Sequence, residues 1–393
     1  MDKSVLALVV YDDGTGPALY AGGEFDVAGG TQVGHVAMWD GTSWSPVGEG
    51  VNGRVSALAV FDDGSTTELI AGGSFERAGG NAAANIARWN GTSWRRIRRG
   101  TDGEVLSLAV QDDGTESSLY VAGSFGQAFG TAAQNIVRWD GVNPEALAGG
   151  LSDTTEALAV FDDGAGPALY AGGRFQTAGG VPAKRIARWD GTAWTALGLG
   201  IEGSVSALAV YDDGSGPALY VGGNFSRAGG ITIFGIAKWD GQSWSKVGGG
   251  IEGSVYAMAV FDDGSGAALY AGGTIRRAGG VEVRSIARWD GKSWTPLGAG
   301  TQGSVFALDN FDHGGGPVLY AGGNFHNPGF RVARWDCSGC YADLDGDGDV
   351  GTLDFLLFLN AWTSTNPVAD WNGDGAVDTQ DFIAYLNDWV AGC

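Results

Sequence analysis

The chain has 393 residues, 44% of them hydrophobic, with 71 glycines, only 10 prolines, 15 tryptophans and a formal charge of −22. That length exceeds one ordinary core and points to two domains or a repeat architecture, and the apolar fraction excludes a disordered chain. So acidic a chain argues against nucleic acid and anionic membrane surfaces, which need clustered Lys and Arg, and it favours cations as ligands.

The first element after Met1-Asp2-Lys3 is an alternating strand, Ser4–Tyr11, that ends in an Asp12-Asp13-Gly14 turn. A second strand, Ala18–Gly23, follows; a third ends in Trp39-Asp40-Gly41, and a short Ser-Trp segment closes the unit. The set recurs at a period of about 50 residues. First strands return at Val55–Phe61, Val205–Tyr211 and Val255–Phe261, second strands at Ala218–Gly223, third strands at Ile186–Gly191 and Ile286–Gly291, and fourth strands at Ser243–Gly248. Each segment is short, rich in β-branched and aromatic residues, and bounded by Gly and Asp, which is the strand-and-turn signature. The Asp-Gly after each third-strand Trp supplies the positive φ of a tight hairpin. Four antiparallel strands per unit, seven times, predict an all-β seven-bladed β-propeller over residues 1–336. The seventh unit stops after its third strand at Asp336. The expectation is therefore that the natural protein extends upstream of Met1, carrying a secretory leader and the strand that completes the last blade.

No apolar run reaches the roughly 18 residues of a membrane-spanning helix, so no membrane span is expected. The Gly-Gly doublet after the second strand, the third-strand Trp-Asp and the fourth-strand Trp resemble kelch repeats. The pattern is similar, more closely still, to repeats of the fungal cortical cell-polarity marker family and of large secreted proteins of planctomycete-type bacteria. The likeness covers residues 4–336 and implies a fold rather than an activity. It departs at Asn143-Pro144-Glu145, which replaces a fourth-strand Trp, and at Ile275, which replaces a repeated Phe.

Kelch-type order puts the Asp12-Asp13 and Asp40 turns and their equivalents on one face. Two readings stand: a cation-collecting rim, or the turn chemistry of Asp. Arg88, Arg138, Arg188, Lys238, Arg288 and Arg334 precede the third-strand tryptophans and are expected to pair with Asp of their own or an adjacent blade. Phe25, Phe75, Phe125, Phe175, Phe225 and Phe325 are read as core between blades. A binding surface would use residues that break the repeat: Ile231–Phe234, Arg276-Arg277, His326, or Arg95, Arg96, Arg98 and Arg99. No catalytic residue is assigned, because His35, His313 and His326 are scattered and no nucleophile motif is present. The chain is read as an enzyme only on the alternative below.

From Asp343 the pattern changes. Asp343, Asp345, Asp347, Asp349 and Asp354 fit one twelve-residue calcium loop; Asp370, Asn372, Asp374, Ala376, Asp378 and Asp381 fit a second, 27 residues on. Positions 1, 3 and 5 give side-chain oxygens, position 7 a carbonyl, a Gly at position 6 the sharp turn, and position 12 a closing acid. Two Ca²⁺ ions are expected. No helix precedes either loop, whereas helices are predicted to follow at Thr352–Trp362 and Thr379–Val390. A duplicated loop-then-helix resembles the dockerin family and makes residues 337–393 a small α-helical, dockerin-like domain. By that resemblance Thr352, Leu353, Thr379 and Gln380 would contact a cohesin-like or cell-envelope partner, although they depart from the usual Ser-Thr pair. A clasp between Cys340 and Cys393, where dockerin termini lie close, would fit an oxidising compartment, with Cys337–Cys393 as the other pairing. The expectation is a secreted or cell-surface, non-catalytic binding protein. The alternative is a carbohydrate-active enzyme or an accessory subunit of a polysaccharide-degrading assembly, with carbohydrate as a ligand. A third reading has the tail helices, through Phe355, Leu356 and Phe358, cap the propeller.

Overall fold

A computed structural model describes residues 1–326 apart from 113, 115 and 315, then 331–335 and 344, and in the tail 352–366, 369–371 and 376–391. Its architecture is all-β and propeller-like, with two short helices. Seven larger antiparallel sheets succeed one another among the described residues, each with its main strands in chain order, beside five smaller two- and three-stranded ones. The first is built from Val5–Asp12, Pro17–Gly23, Val36–Trp39 and Trp44–Pro46. The seventh has three strands, Gly303–Asp312, Pro317–Phe325 and Val332–Trp335. First strands of neighbouring sheets lie against each other, and those of the first and seventh sheets do so too. That last contact is a mixed cluster of Leu19, Leu8 and Val10 with Phe311, Val318 and Tyr320.

The reason these segments form sheets is visible in their burial. Second strands such as Pro17–Gly23 are buried at every residue after the first, because sheets cover both of their faces. First strands alternate between buried and half-buried. The repeated phenylalanines are buried between sheets, and Ile275 fills the same slot at 2% exposure.

One local feature goes beyond the sequence reading. The connections between second and third strands contain two-stranded ribbons, such as Val27–Ala28 with Thr31–Gln32, rather than plain loops. Gly29 and Gly30, at φ 56° and 83°, supply the two left-handed residues of the tight turn.

In the tail, α1 spans Thr352–Thr363 and α2 spans Thr379–Ala391. Phe358, Ala369 and Tyr385 are buried, with Leu344, Phe355, Trp362, Trp371 and Phe382 packed around them. Equivalent residues of the two repeats meet: Phe358 stacks on Tyr385 at 3.9 Å, and Phe355 faces Phe382 at 6.3 Å. Phe358, 1% exposed, is therefore core of the tail itself rather than a cap for another surface, while Leu356 and its equivalent Ile383 are exposed. No helix among the described residues is long and apolar enough to cross a membrane.

Candidate functional site

The Asp face resolves into turn chemistry. Asp12 accepts the backbone N–H groups of Gly14 and Gly16 at 2.8 and 3.0 Å, and Asp62, Asp162, Asp212, Asp262 and Asp312 cap their own turns in the same way. Asp190 is held down at about 2 by the Ala193 and Thr192 N–H groups and the Thr192 hydroxyl. The second Asp of the turn ties the sheet together. Asp213 accepts from Tyr220 Oη at 2.8 Å and from Lys238 Nζ at 2.7 Å. Burial opposes its ionisation, yet Lys238, Ser215 and Tyr220 hold its carboxyl at about 2. Arg188 and Arg288 make the same pairing with Asp163 and Asp263, each at 3.0 Å, and Arg88 and Arg138 use Glu68 and Glu145 instead. These acids serve the sheet that carries them, and the described residues contain no cluster of His, Cys, Asp or Glu suited to a metal ion.

Of the repeat-breaking residues, Arg96, Arg98 and Arg99 line a cavity of about 570 Å³ with Asn52 and Glu76. Arg98 is engaged there, donating from Nε to the Val142 carbonyl at 2.8 Å. Phe234 lines another, with Glu202, Asn224 and Glu252.

Tail residues are described in part. Asp343, Asp345, Asp347, Asp349, Asn372 and Asp374, with Cys337, Cys340 and Cys393, lie outside the described residues. Asp354 and Asp381, the closing acids, are buried at 1% and 0% exposure in the first turns of α1 and α2. Each reaches back to its own loop: the Leu344 N–H donates to Asp354 Oδ1 at 2.6 Å, and the Asp378 N–H to Asp381 Oδ2 at 2.8 Å. No Lys, Arg or His occurs anywhere in residues 337–393. Asp370 is half-buried and Ala376 and Asp378 are exposed, while Thr352, Thr379 and Gln380 are exposed at the helix starts. Leu353 lies in α1.

A site that the sequence reading did not find lies on the axis of the sheets. In every first strand the register slips by one residue just after the start, as between Val5 and Ala7 and between Val305 and Ala307. The skipped residue is thrown out of the ladder, which is how a bulge re-aims a side chain. These residues are Leu6, Ser56, Leu106, Glu156, Ser206, Tyr256 and Phe306, one from each sheet, and all seven line a cavity of about 640 Å³. It lies toward the end of the first strands remote from the Asp turns. Arg54 pairs with Glu104, which also accepts from Ser56. Arg174 Nε pairs with Glu156 at 2.5 Å, and Glu156 accepts from Ser206 Oγ at 2.8 Å. Across the sheet order from these, Tyr256 and Phe306 form a ring pair at 5.5 Å.

Comparison with known proteins bears on the fold. Residues 135–307 match the Rax2 C-terminal beta propeller domain. No curated protein matches the chain. Among solved structures, the extracellular domain of a one-component system from B. thetaiotaomicron is similar at 12% identity and TM-score 0.53, over 84% of this chain and 38% of that one. That of a hybrid two-component system from the same organism is similar at 12% identity and TM-score 0.51, with the same coverage of both chains. A GH74 enzyme of Niastella koreensis is similar at 16% identity and TM-score 0.45, over 75% of this chain and 45% of that one. The chain thus covers less than half the length of each of these three structures.

Proposed function

We propose that this chain is an extracellular, non-catalytic binding protein. Residues 1–336 form a seven-bladed β-propeller, its last blade incomplete, that presents an interaction surface. Residues 337–393 form a dockerin-like module, folded around two Ca²⁺ ions, that docks the propeller to a scaffold or cell-envelope partner through Thr352, Leu353, Thr379 and Gln380.

The observation that carries this reading is the burial of Asp354 and Asp381 at equivalent positions of a duplicated segment with no basic residue of its own. An ionised carboxylate leaves water only when paired. With no Lys, Arg or His in the segment, a bound cation would supply positive charge beside these acids, and the oxygen-only donor set fits a hard ion such as calcium. The residues that would hold it are Asp343, Asp345, Asp347, Asp349 and Asp354 in one loop, and Asp370, Asn372, Asp374, the Ala376 carbonyl, Asp378 and Asp381 in the other. When bound, the ion supplies the charge balance that lets each loop close on its helix. Calorimetric titration with Ca²⁺, then capture of partners from culture supernatant with and without chelator, tests both halves. Two sites and a calcium-dependent partner support the reading; a tail that takes up no metal ends it.

A second reading, a carbohydrate-active enzyme, has one observation in its favour: the axial cavity contains two carboxylates, Glu104 and Glu156. Each is taken up by an arginine and a serine of the cavity wall, an arrangement for fixing a ligand rather than for delivering a proton to a leaving group. Release of reducing ends from polysaccharides by the purified chain would restore it.

A further inference from the structure

From the axial cavity we infer that the propeller binds a neutral saccharide there, stacked on Tyr256 and Phe306 and hydrogen-bonded by the charged wall around Glu104 and Glu156. This deepens the reading of the sheets as a binding surface and is independent of the calcium reading of the tail.

The chain carries its own internal comparison. Its repeats are near copies: the residue before the bulge is Val in six sheets and Thr155 in the fourth, and two residues after the bulge stands Leu in six and Met258 in the sixth. At the bulge itself the chain places Leu, Ser, Leu, Glu, Ser, Tyr and Phe. Variation is thus concentrated at the position whose side chains converge on one space, while the packing positions beside it stay fixed. Sheet packing alone gives no reason for such a distribution.

Tyr256 and Phe306 are half-buried and offer an aromatic wall. A sugar ring presents C–H groups on its faces and hydroxyls around its edge, so it seats one face on such rings and directs its edge at polar groups. Around the rest of the cavity stand carboxylates and guanidinium groups, with hydroxyls of Ser56, Ser204 and Ser206 and the Asn224 amide. This is a dense set of paired donors and acceptors of the kind that matches hydroxyls, each of which both donates and accepts. Each arginine is matched by a glutamate, Arg54 by Glu104 and Arg174 by Glu156, so the wall carries no surplus charge that would select an ionic ligand. The cavity's size, about 640 Å³, lies within the range that encloses small ligands.

The test uses the full chain. Binding is measured by calorimetry against neutral hexasaccharides of glucose, mannose and xylose in several linkages, and against an acidic oligogalacturonate. Two variants, Tyr256→Ser and Phe306→Leu, install residues that other sheets already carry at the bulge, Ser206 and Leu106, so both are expected to melt as the parent does. The expected result is binding of at least one neutral oligosaccharide, weakened at least tenfold by either variant and by Glu156→Gln, and unchanged in excess EDTA. Binding of the acidic probe alone, binding unaffected by the variants, or no binding across the neutral panel would overturn the assignment. None of those failures touches the tail, whose calcium titration is read separately.

Discussion

Gly322 of the seventh sheet meets Val5 of the first so closely that a Cβ on the glycine would lie 2.5 Å from Val5 Cγ1. The same relationship joins Gly22 to Val55 and Gly272 to Val305, each also at 2.5 Å. The second-strand glycine is therefore not a turn residue but the socket for the next sheet's valine. Where the third repeat has Ala122 at that place, the fourth has Thr155 in place of valine. Gly322→Ala should destabilise the protein by about 1–3 kcal/mol, the usual cost of overpacking. Urea unfolding measures it; a variant as stable as the parent would show that first and last sheets are not tightly joined.

Neighbouring sheets are also stitched by indoles. Trp94 Nε1 donates to the Val47 carbonyl at 2.8 Å, Trp194 to Leu147 at 3.0 Å, Trp244 to Leu197 at 3.0 Å and Trp294 to Val247 at 3.2 Å. Pro144 has no such donor, and there Arg98 bridges the same two sheets through Val142. Trp194→Phe keeps an aromatic ring but removes the indole donor, while the Leu147 carbonyl retains the Gly150 N–H at 2.8 Å, so the expected cost of the lost bond is about 0.5–1.5 kcal/mol. Beside it, Ala148 stands at φ 39° where Gly48, Gly198, Gly248 and Gly298 occur in other repeats. Ala148→Gly should therefore stabilise by about 1 kcal/mol. Thermal melts of the two variants should move in opposite directions.

Much of this was legible in the sequence, for identifiable reasons. A strand that alternates in period two, repeated seven times with the same turn residues, leaves few architectures open; the third-strand cations were expected on Asp of their own or an adjacent blade, and Arg188, Lys238 and Arg288 take Asp of their own sheet while Arg88 and Arg138 take Glu. The ribbons at Val27–Gln32 were not legible, because two-residue strands give alternation nothing to act on. Nor was the axial cavity. Leu6, Glu156, Tyr256 and Phe306 each look like one irregular residue in a strand, and they meet only because a bulge turns each outward and the ring brings all seven together. The absence of Lys, Arg and His from residues 337–393 could be read from the sequence; the burial of Asp354 and Asp381 could not.

Asp309 is the one acid at its place in the first strands, where the other repeats have Val9 or Ala. Burial pushes its carboxyl up from 3.8 to about 6, against hydrogen bonds from the Asn310 and Val10 backbone. A carboxyl raised on folding favours the folded state fully below its unfolded pKa and loses that contribution as pH rises through the folded value. Asp309→Ala should therefore be more stable than the parent at pH 7, by on the order of 2 kcal/mol, with the difference fading between about pH 6 and pH 4. Denaturant midpoints across that range check it; a pH-independent difference would mean that packing, not charge, sets the effect.

The two closing aspartates allow the sharpest test of the tail. Asp381 lies in the first turn of α2 and accepts the Asp378 N–H, so a neutral amide in its place keeps the size and much of the hydrogen bonding while removing the charge. If the charge is there to meet a cation, Asp381→Asn should abolish one of two calcium sites in calorimetry and leave the other. Asp354→Asn should remove its counterpart. Because Phe358 and Tyr385 stack across the two repeats, loss of either site should also loosen the shared core. The near-ultraviolet signal from Trp362, Trp371 and Tyr385 should fall with each variant and with EDTA, while the sheets keep their own melting transition. If both variants bind two calcium ions as the parent does, Asp354 and Asp381 are not calcium ligands and their burial serves the fold alone; if the parent itself takes up none, the metal reading of the tail is wrong.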